Sequence, residues 1–441
     1  MNTSVLYYLW LNLALSAGSK ASKSLLERFD SIEEVYNASR EDYAALDIAD
    51  EQAEKLCDKS LAEANRIAAW CEKEHIGILC YADSMYPGRL RALDDPPPVL
   101  YYRGRLELLD TLPVFAMVGT RSCSEHGFRT AYRLAFDVAN AGGCIINGLA
   151  LGIDAAALTG CLDAGGYAIG VLGCGIDRIY PSQNKELFHR LSRQGLIISE
   201  FPPFSRPLGA HFPVRNRVIS ALAIGVAVFE GEAGSGALIT ASHALEQGKK
   251  LFAVPGNADD KLNEGPLFLI KNGAGVLTEA TDMLVEYTLA YPDKLYVAPL
   301  AEFPDEKCDA AVKAAFAVNP AMVRDKTDGR RLPKPAKAPK SAPKPVREAP
   351  KSPKASAEKP APYANAPDVP APQEAEGPAK DTSVLSAEEK RVYALFEKHR
   401  SLSADDIVES GVSPGDALAS LTLLEVYGFI ESLPGGRYRI L

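Results

Sequence analysis

The chain has 441 residues, of which 47% are apolar and 24% charged, and its formal net charge is −9. That length exceeds one compact domain and implies two or three, while the apolar share is ordinary for globular protein. The acidic balance excludes a protein that coats nucleic acid over its whole surface but leaves room for a local basic groove. Eight cysteines are scattered through apolar segments, with no C-x-x-C pair and no Cys/His set at zinc-ligand spacing. We therefore expect reduced core thiols, no metal, no cofactor and a cytoplasmic location.

The opening MNTSVLYYLWLNLALSAGS looks like a secretory leader, yet it has no basic start and its apolar run is broken by Asn12. No other stretch has the length needed to cross a bilayer, so no membrane partner is expected. Residues 1–75 read as a helical domain: Leu6, Leu9 and Leu13, then Leu25, Leu26 and Phe29, recur at helical spacing, with Gly18 at a bend between them. A packing role for this hairpin is preferred to contact with a DNA backbone, because acids further on balance Lys20, Lys23 and Arg28.

Residues 76–295 form the expected core. After strands at 76–81 and 100–102, apolar strands are predicted at 114–118, 144–147, 167–172, 196–199, 224–229, 251–254 and 274–277, with helices at 125–141, 153–164 and 238–247 among those filling the gaps. Continuous apolar strands alternating with amphipathic helices signify an α/β fold, a Rossmann-like, doubly wound and mostly parallel sheet covered on both faces. Ligands of such sheets bind at the carboxyl ends of the strands. There the loops are glycine-rich: Gly119-Thr120-Arg121, then Gly148 to Gly152, Gly173-Cys174-Gly175, a long segment at 200–216, Gly231 to Gly236, and Pro255-Gly256-Asn257.

The first of these loops carries the anion reading. A strand breaks at Gly119, passes Thr120 and Arg121, and reaches Ser122-x-x-Glu125, the spacing of a capping box that opens a helix. Free N–H groups at such a helix start, with an arginine fork beside them, suit phosphate. An ordinary strand-to-helix turn with a surface arginine is the competing account. Neither G-x-x-x-x-G-K-[ST] nor G-x-G-x-x-G is present, which argues against a mononucleotide or dinucleotide site. Arg121, Arg215 and Arg217 flanking Asn216, with Arg178 and Lys185 nearby and Tyr180, His211 and Phe212 interleaved, favour a single-stranded polynucleotide. The expected contacts are Gly119, Thr120, Arg121, Ser122, Gly148, Gly152, Arg215, Asn216, Arg217, Gly234, Ser235 and Gly236. No catalytic residue is assigned. Asp154 reads as a helix cap, and Glu200 and Glu230 as partners of the arginines, since no nucleophile has a histidine at a telling distance.

In order, VGTR (118–121), NGLALGIDAAA (147–157), IYPSQNKEL (179–187), FPVRNRVI (212–219), GSGALITA (234–241) and FAVPGN (252–257) resemble the core of the DNA-processing protein A family, DprA, also called Smf. The resemblance covers about residues 80–290. It implies a non-enzymatic homodimer that binds single-stranded DNA, protects incoming DNA during natural transformation and loads the RecA recombinase. It also implies a sterile-alpha-motif-like helical domain before the core and a winged helix after it, and DNA contact by Arg121. The chain departs from the family pattern at Leu151, Leu158 and Ser182, where basic residues or histidine are usual; fewer cations there mean fewer neutralised phosphates.

Residues 296–383 read as a linker rich in Pro, Lys and Ala. Between 326 and 360 it carries eleven Lys or Arg against three acids, a composition expected to stay extended and disordered. Either a solvated spacer or a nonspecific tether for DNA fits it. Residues 384–441 return to a globular pattern with helices at 386–398, 403–409 and 413–427 and a terminal hairpin, the layout of a winged helix. The 413–427 helix contains no Lys or Arg, so contact with protein is favoured over a major groove. The rival for the core is a nucleotide-phosphate glycosidase of the lysine-decarboxylase-like type, whose P-G-G-x-G-T-x-x-E signature is replaced here by a loop followed by Thr240 and Ala241.

Overall fold

A computed structural model describes residues 3–46, 48–296, 303–319 and 321–322, together with 387–396, 399, 401–410, 412, 417, 420–421, 424, 429–433 and 437–440 of the C-terminal segment. The linker stretch 326–360 and most of the 413–427 helix expected from sequence lie outside the described residues.

The N-terminal region is helical: Thr3–Ala14, Ala21–Arg28, Ile32–Asn37, Arg40–Ala44, Asp50–Cys57 and Ala62–Lys73. Leu9, Trp10 and Leu11 are buried in the first helix, which is twelve residues long. Asn12, the polar break in its apolar run, donates from Nδ2 to the Glu200 carbonyl at 3.1 Å and accepts from the Tyr101 hydroxyl at 3.0 Å. A buried amide satisfied on both sides is a packing device, and it docks this helix onto the sheet. No described helix is long and apolar enough to cross a membrane.

The sheet has nine strands: β1 Gly77–Cys80, β2 Val99–Gly104, β3 Val114–Val118, β4 Cys144–Asn147, β5 Ala168–Val171, β6 Leu196–Ser199, β7 Gly225–Val228, β8 Lys250–Ala253 and β9 Gly275–Val276. Their order is β1-β2-β6-β5-β4-β3-β7-β8-β9. The strands from β6 to β9 in that order run parallel, and β1 and β2 join antiparallel at one edge. All five residues of β3 are buried. Phe115 and Met117 face one core, built with helices Glu125–Asn140 and Ile153–Asp163; Val114, Ala116 and Val118 face the other, built with His211–Leu222 and Gly236–Glu246. Period-two alternation into two apolar layers is why the strand reads as a continuous apolar run. From β3 the chain winds outward through β4, β5 and β6, then returns to lay β7 on the other side of β3. The crevice over β3 and β7 is thus the topological switch point.

Three helical details correct the sequence reading, the first being that the linker expected at 296–383 opens with a helix, Asp305–Val318, whose Cys308 and Val312 are buried. The helix after β3 is capped by Ser124, whose Oγ accepts from the Gly127 N–H at 2.9 Å, and Ser122 stays in the loop. The segment expected as a long loop at 200–216 becomes a helix from His211 onward. Pro213 is tolerated in its first turn because an N–H there has no helical partner to lose.

In the C-terminal segment, helices Ala387–Phe396 and Ala404–Glu409 accompany β10 Leu402–Ser403, β11 Ile430–Leu433 and β12 Arg437–Ile440, an antiparallel sheet ordered β10-β12-β11. Ser403 and Asp406 close a capping box on the second helix. Ala417, Ser420, Leu421 and Leu424, described within the 413–427 span, are helical and buried.

Candidate functional site

At the switch point an open cleft of about 580 Å³ is lined by the loops after β3, β4 and β7 and by the first turns of helices 211–222 and 236–246. A smaller lobe of about 330 Å³ adjoins it, walled by Arg121, Tyr180, Phe212 and Arg215. Of the twelve residues expected from sequence, Gly119, Thr120, Arg121, Gly148, Arg215, Asn216, Gly234, Ser235 and Gly236 line the cleft; Ser122, Gly152 and Arg217 do not.

The cations are arranged around one ring. Arg121 is exposed, and its guanidinium lies 5.3 Å from the centre of Phe212; that of Arg215 lies 5.8 Å from the same ring. Tyr180 stacks on Phe212 at 5.5 Å and 29°. Arginine over an aromatic face leaves the guanidinium edge available to an anion while its flat side is held. Arg215 is buried. Its Nη1 donates to the Gly148 carbonyl at 3.0 Å and to the Val171 carbonyl, and Nε donates to Asn216 Oδ1 at 3.1 Å. Burial pushes its pKa down to about 10, with Asp154 acting against that shift, so the group stays charged near neutral pH. His211 is occupied inside the fold, stacked on Phe201 at 4.2 Å with Nδ1 near the Gly173 carbonyl.

Arg217 is placed differently from the sequence reading. Two residues along a helix turn about 200°, so Arg215 and Arg217 point to opposite sides. Arg217 is buried beside the bend at Gly18, pairing through Nη2 with Glu200 and through Nε with Asp95 at 3.2 Å. Burial raises both carboxyl pKa values and Arg217 opposes it.

The helix start after β3 was the expected phosphate site, but the protein fills it. Both carboxylate oxygens of Glu230 reach Ser124, one accepting its N–H at 2.7 Å and the other its hydroxyl. Gly127 is required there, since a Cβ would come within 2.3 Å of that carboxylate. Glu230 is therefore no partner of an arginine; it is the internal anion of this helix. Asp154 is similar, but it caps the loop behind it: Oδ2 accepts from the Gly148 and Ala150 N–H groups at 3.0 and 3.3 Å. Burial pushes its pKa up to about 6, against the pull of Arg215. Helix 236–246 is the contrast. Its first turn holds no acid and Ser235 makes no side-chain cap bond, so its free N–H groups face the cleft and suit an anion. Gly152, at φ +75°, begins helix 153–163 where a Cβ would fall 2.4 Å from the Thr120 carbonyl. It sets the loop close to that helix without touching the cleft.

Sequence comparison decides the family. Residues 77–288 match the model for DNA recombination-mediator protein A, and 370–436 match the DprA winged helix domain. The chain is 35% identical over 291 residues to Protein Smf of Synechocystis, covering 64% of this chain and 72% of that one. This chain belongs to the DprA/Smf family. It is also 41% identical over 205 residues to the DNA processing protein DprA of Streptococcus pneumoniae, covering 46% of this chain and 72% of that protein. The X-ray structure of DprA from S. pneumoniae superposes with a TM-score of 0.57 at 32% identity, covering 65% of this chain and 98% of that one. The DprA core is thus the nine-stranded sheet with its cleft, and the C-terminal segment is the DprA winged helix. One DprA-cleft neighbour, Asn319, had no signal in the sequence: it lies beyond the matched core and donates from Nδ2 to the Arg121 carbonyl at 2.8 Å.

Proposed function

We propose that this chain is a recombination mediator that binds single-stranded DNA in the cleft over β3 and β7, protects it during natural transformation in the cytoplasm, and loads RecA onto it without catalysing a reaction. The observation that carries this reading is that Arg121 and Arg215 sit over the Phe212 ring in the same cleft that the uncapped start of helix 236–246 lines. Main-chain N–H groups and guanidinium edges hold phosphates irrespective of sequence, and stacked aromatics accept any base. Gly119, Thr120, Gly148, Asn216, Gly234, Ser235 and Gly236 are the proposed backbone and side-chain contacts. Ser122 and Gly152 support the loop, and Arg217 supports the helix. Action as a homodimer through the later part of the core is consistent with the apolar side chains exposed there, among them Leu245, Phe268, Val276, Val285 and Leu289. Exposed apolar groups are a common pairing surface.

The test is a titration of labelled oligothymidine against the full chain at two salt concentrations. Arg121→Ala is expected to weaken binding by roughly 10- to 100-fold at low salt, the worth of one charged hydrogen bond. It is also expected to reduce the log-log salt slope by about 0.7. Equal affinity for variant and parent refutes the site, and the absence of binding by the parent refutes the function.

A further inference from the structure

Residues 303–319 and 321–322 lie between the two family matches, yet they are firmly attached to the core. Phe303 packs edge-on against Tyr132 and Phe136 with ring centres 5.9 and 5.7 Å away. Helix Asp305–Val318 buries Cys308 and Val312, and Asp309 pairs with Arg129 at 2.5 Å. Beyond it Asn319 is buried, donating from Nδ2 to the Arg121 carbonyl at 2.8 Å and accepting the Ala321 N–H at 3.3 Å. Met322 is buried as well.

The other bonds of this loop fall on its neighbours. The Thr120 N–H donates to the Glu230 carbonyl at 2.7 Å, the Thr120 carbonyl accepts from Ile153 at 3.2 Å, and the Ser122 N–H donates to Thr120 Oγ1 at 3.2 Å. Asn319 reaches the carbonyl of Arg121 itself, from nearly two hundred residues away in the chain.

We propose that residues 303–319 form a brace for the polynucleotide site and that Asn319 is a positioning residue acting through Arg121. This rests on the function proposed above. Arg121 is exposed, and ordering a long exposed side chain on binding costs affinity. Holding its peptide by a buried amide fixes where the side chain departs, over the Phe212 ring, and lowers that cost.

The test uses the full chain and labelled oligothymidine with Asn319→Ala, Asn319→Asp, Arg121→Ala and the Arg121/Asn319 double alanine variant, each checked for an unchanged melting temperature. Asn319→Ala is expected to weaken binding about 2- to 10-fold, the range of one neutral hydrogen bond. Asn319→Asp is expected to weaken it further, because a carboxylate cannot donate to a carbonyl. The double variant is expected to bind no worse than Arg121→Ala alone, since a brace acting through Arg121 has nothing left to position. Additive losses, or no loss in either Asn319 variant, overturn the proposal. If Asn319→Ala unfolds, Asn319→Ser, which keeps a donor, takes its place in the cycle. Amide hydrogen exchange across 119–123 is read in parallel: faster exchange in Asn319→Ala supports the brace, and unchanged exchange overturns it. If the parent does not bind oligothymidine, the function falls while the exchange result still decides the brace.

Discussion

Arg217→Met separates a structural arginine from a ligand-binding one. The substitution keeps the length of the apolar stem but removes the cation that lies between Glu200 and Asp95. Breaking a buried ion pair by removing one partner costs about 3–5 kcal/mol, because the remaining charge has no compensation. At about 2–4 °C per kcal/mol for a domain of this size class, the melting temperature of the core should fall by on the order of 10 °C. The pH dependence gives the sign. Burial already holds both carboxyl pKa values above their usual range, and Arg217 is the chief opposing influence. Without it both rise further. A group whose folded pKa exceeds its unfolded one contributes stability that is present below the unfolded value and lost as pH rises through the folded value. The variant's deficit should therefore be smaller at pH 4 than at pH 8, growing as pH rises through the folded values of the two carboxyls. Thermal unfolding followed by circular dichroism at both pH values measures it, and oligothymidine titration well below the transition measures binding. An unchanged melting temperature at pH 8 combined with a tenfold loss of affinity would refute the assignment and return Arg217 to the cleft.

Asp154→Asn should flatten part of the decline in stability between about pH 4 and 7. The carboxyl, with its pKa raised to about 6 from 3.8, contributes on the order of 3 kcal/mol that is present below pH 4 and lost as pH rises through 6; identical melting profiles for variant and parent would count against its buried titration. Deleting residues 326–360, which hold eleven Lys or Arg against three acids, should weaken single-strand binding and lower the log-log salt slope. An unchanged slope makes that stretch a spacer only.

The strands were legible because each is an apolar run bounded by glycine or polar residues, and all seven parallel strands start and stop within a residue or two of the expected positions. Helix 211–222 was not, since Pro202, Pro203, Pro207 and Gly209 precede it and Pro213 interrupts its first turn. Reading that segment as a loop hid the 200° between Arg215 and Arg217 and made two differently directed arginines look alike. The cap at Ser124 was ambiguous in SCSE, which offers two serines; the carboxylate that decides between them arrives from Glu230. Contacts of that kind, like the one from Asn319, are fixed by tertiary packing and leave no local pattern. The glycine-rich loops after β3, β4 and β7, by contrast, carried their position in the cleft in their sequence, because they follow the strands whose order sets the crevice, whereas Pro255-Gly256-Asn257 does not line it.

Helix 211–222 has one consequence beyond its own packing. One of its sides carries Phe212 and Arg215 into the cleft, and the other carries Arg217 and Val214 against the N-terminal bend, where a Cβ on Gly18 would come within 3.0 Å of Val214. A roll of this rod by only ~10° about its axis sweeps a side-chain tip by about 1 Å, given an outer radius of about 5–6 Å. Damage at the Gly18 bend of the N-terminal bundle would thus be transmitted as a misaimed guanidinium rather than as a missing one.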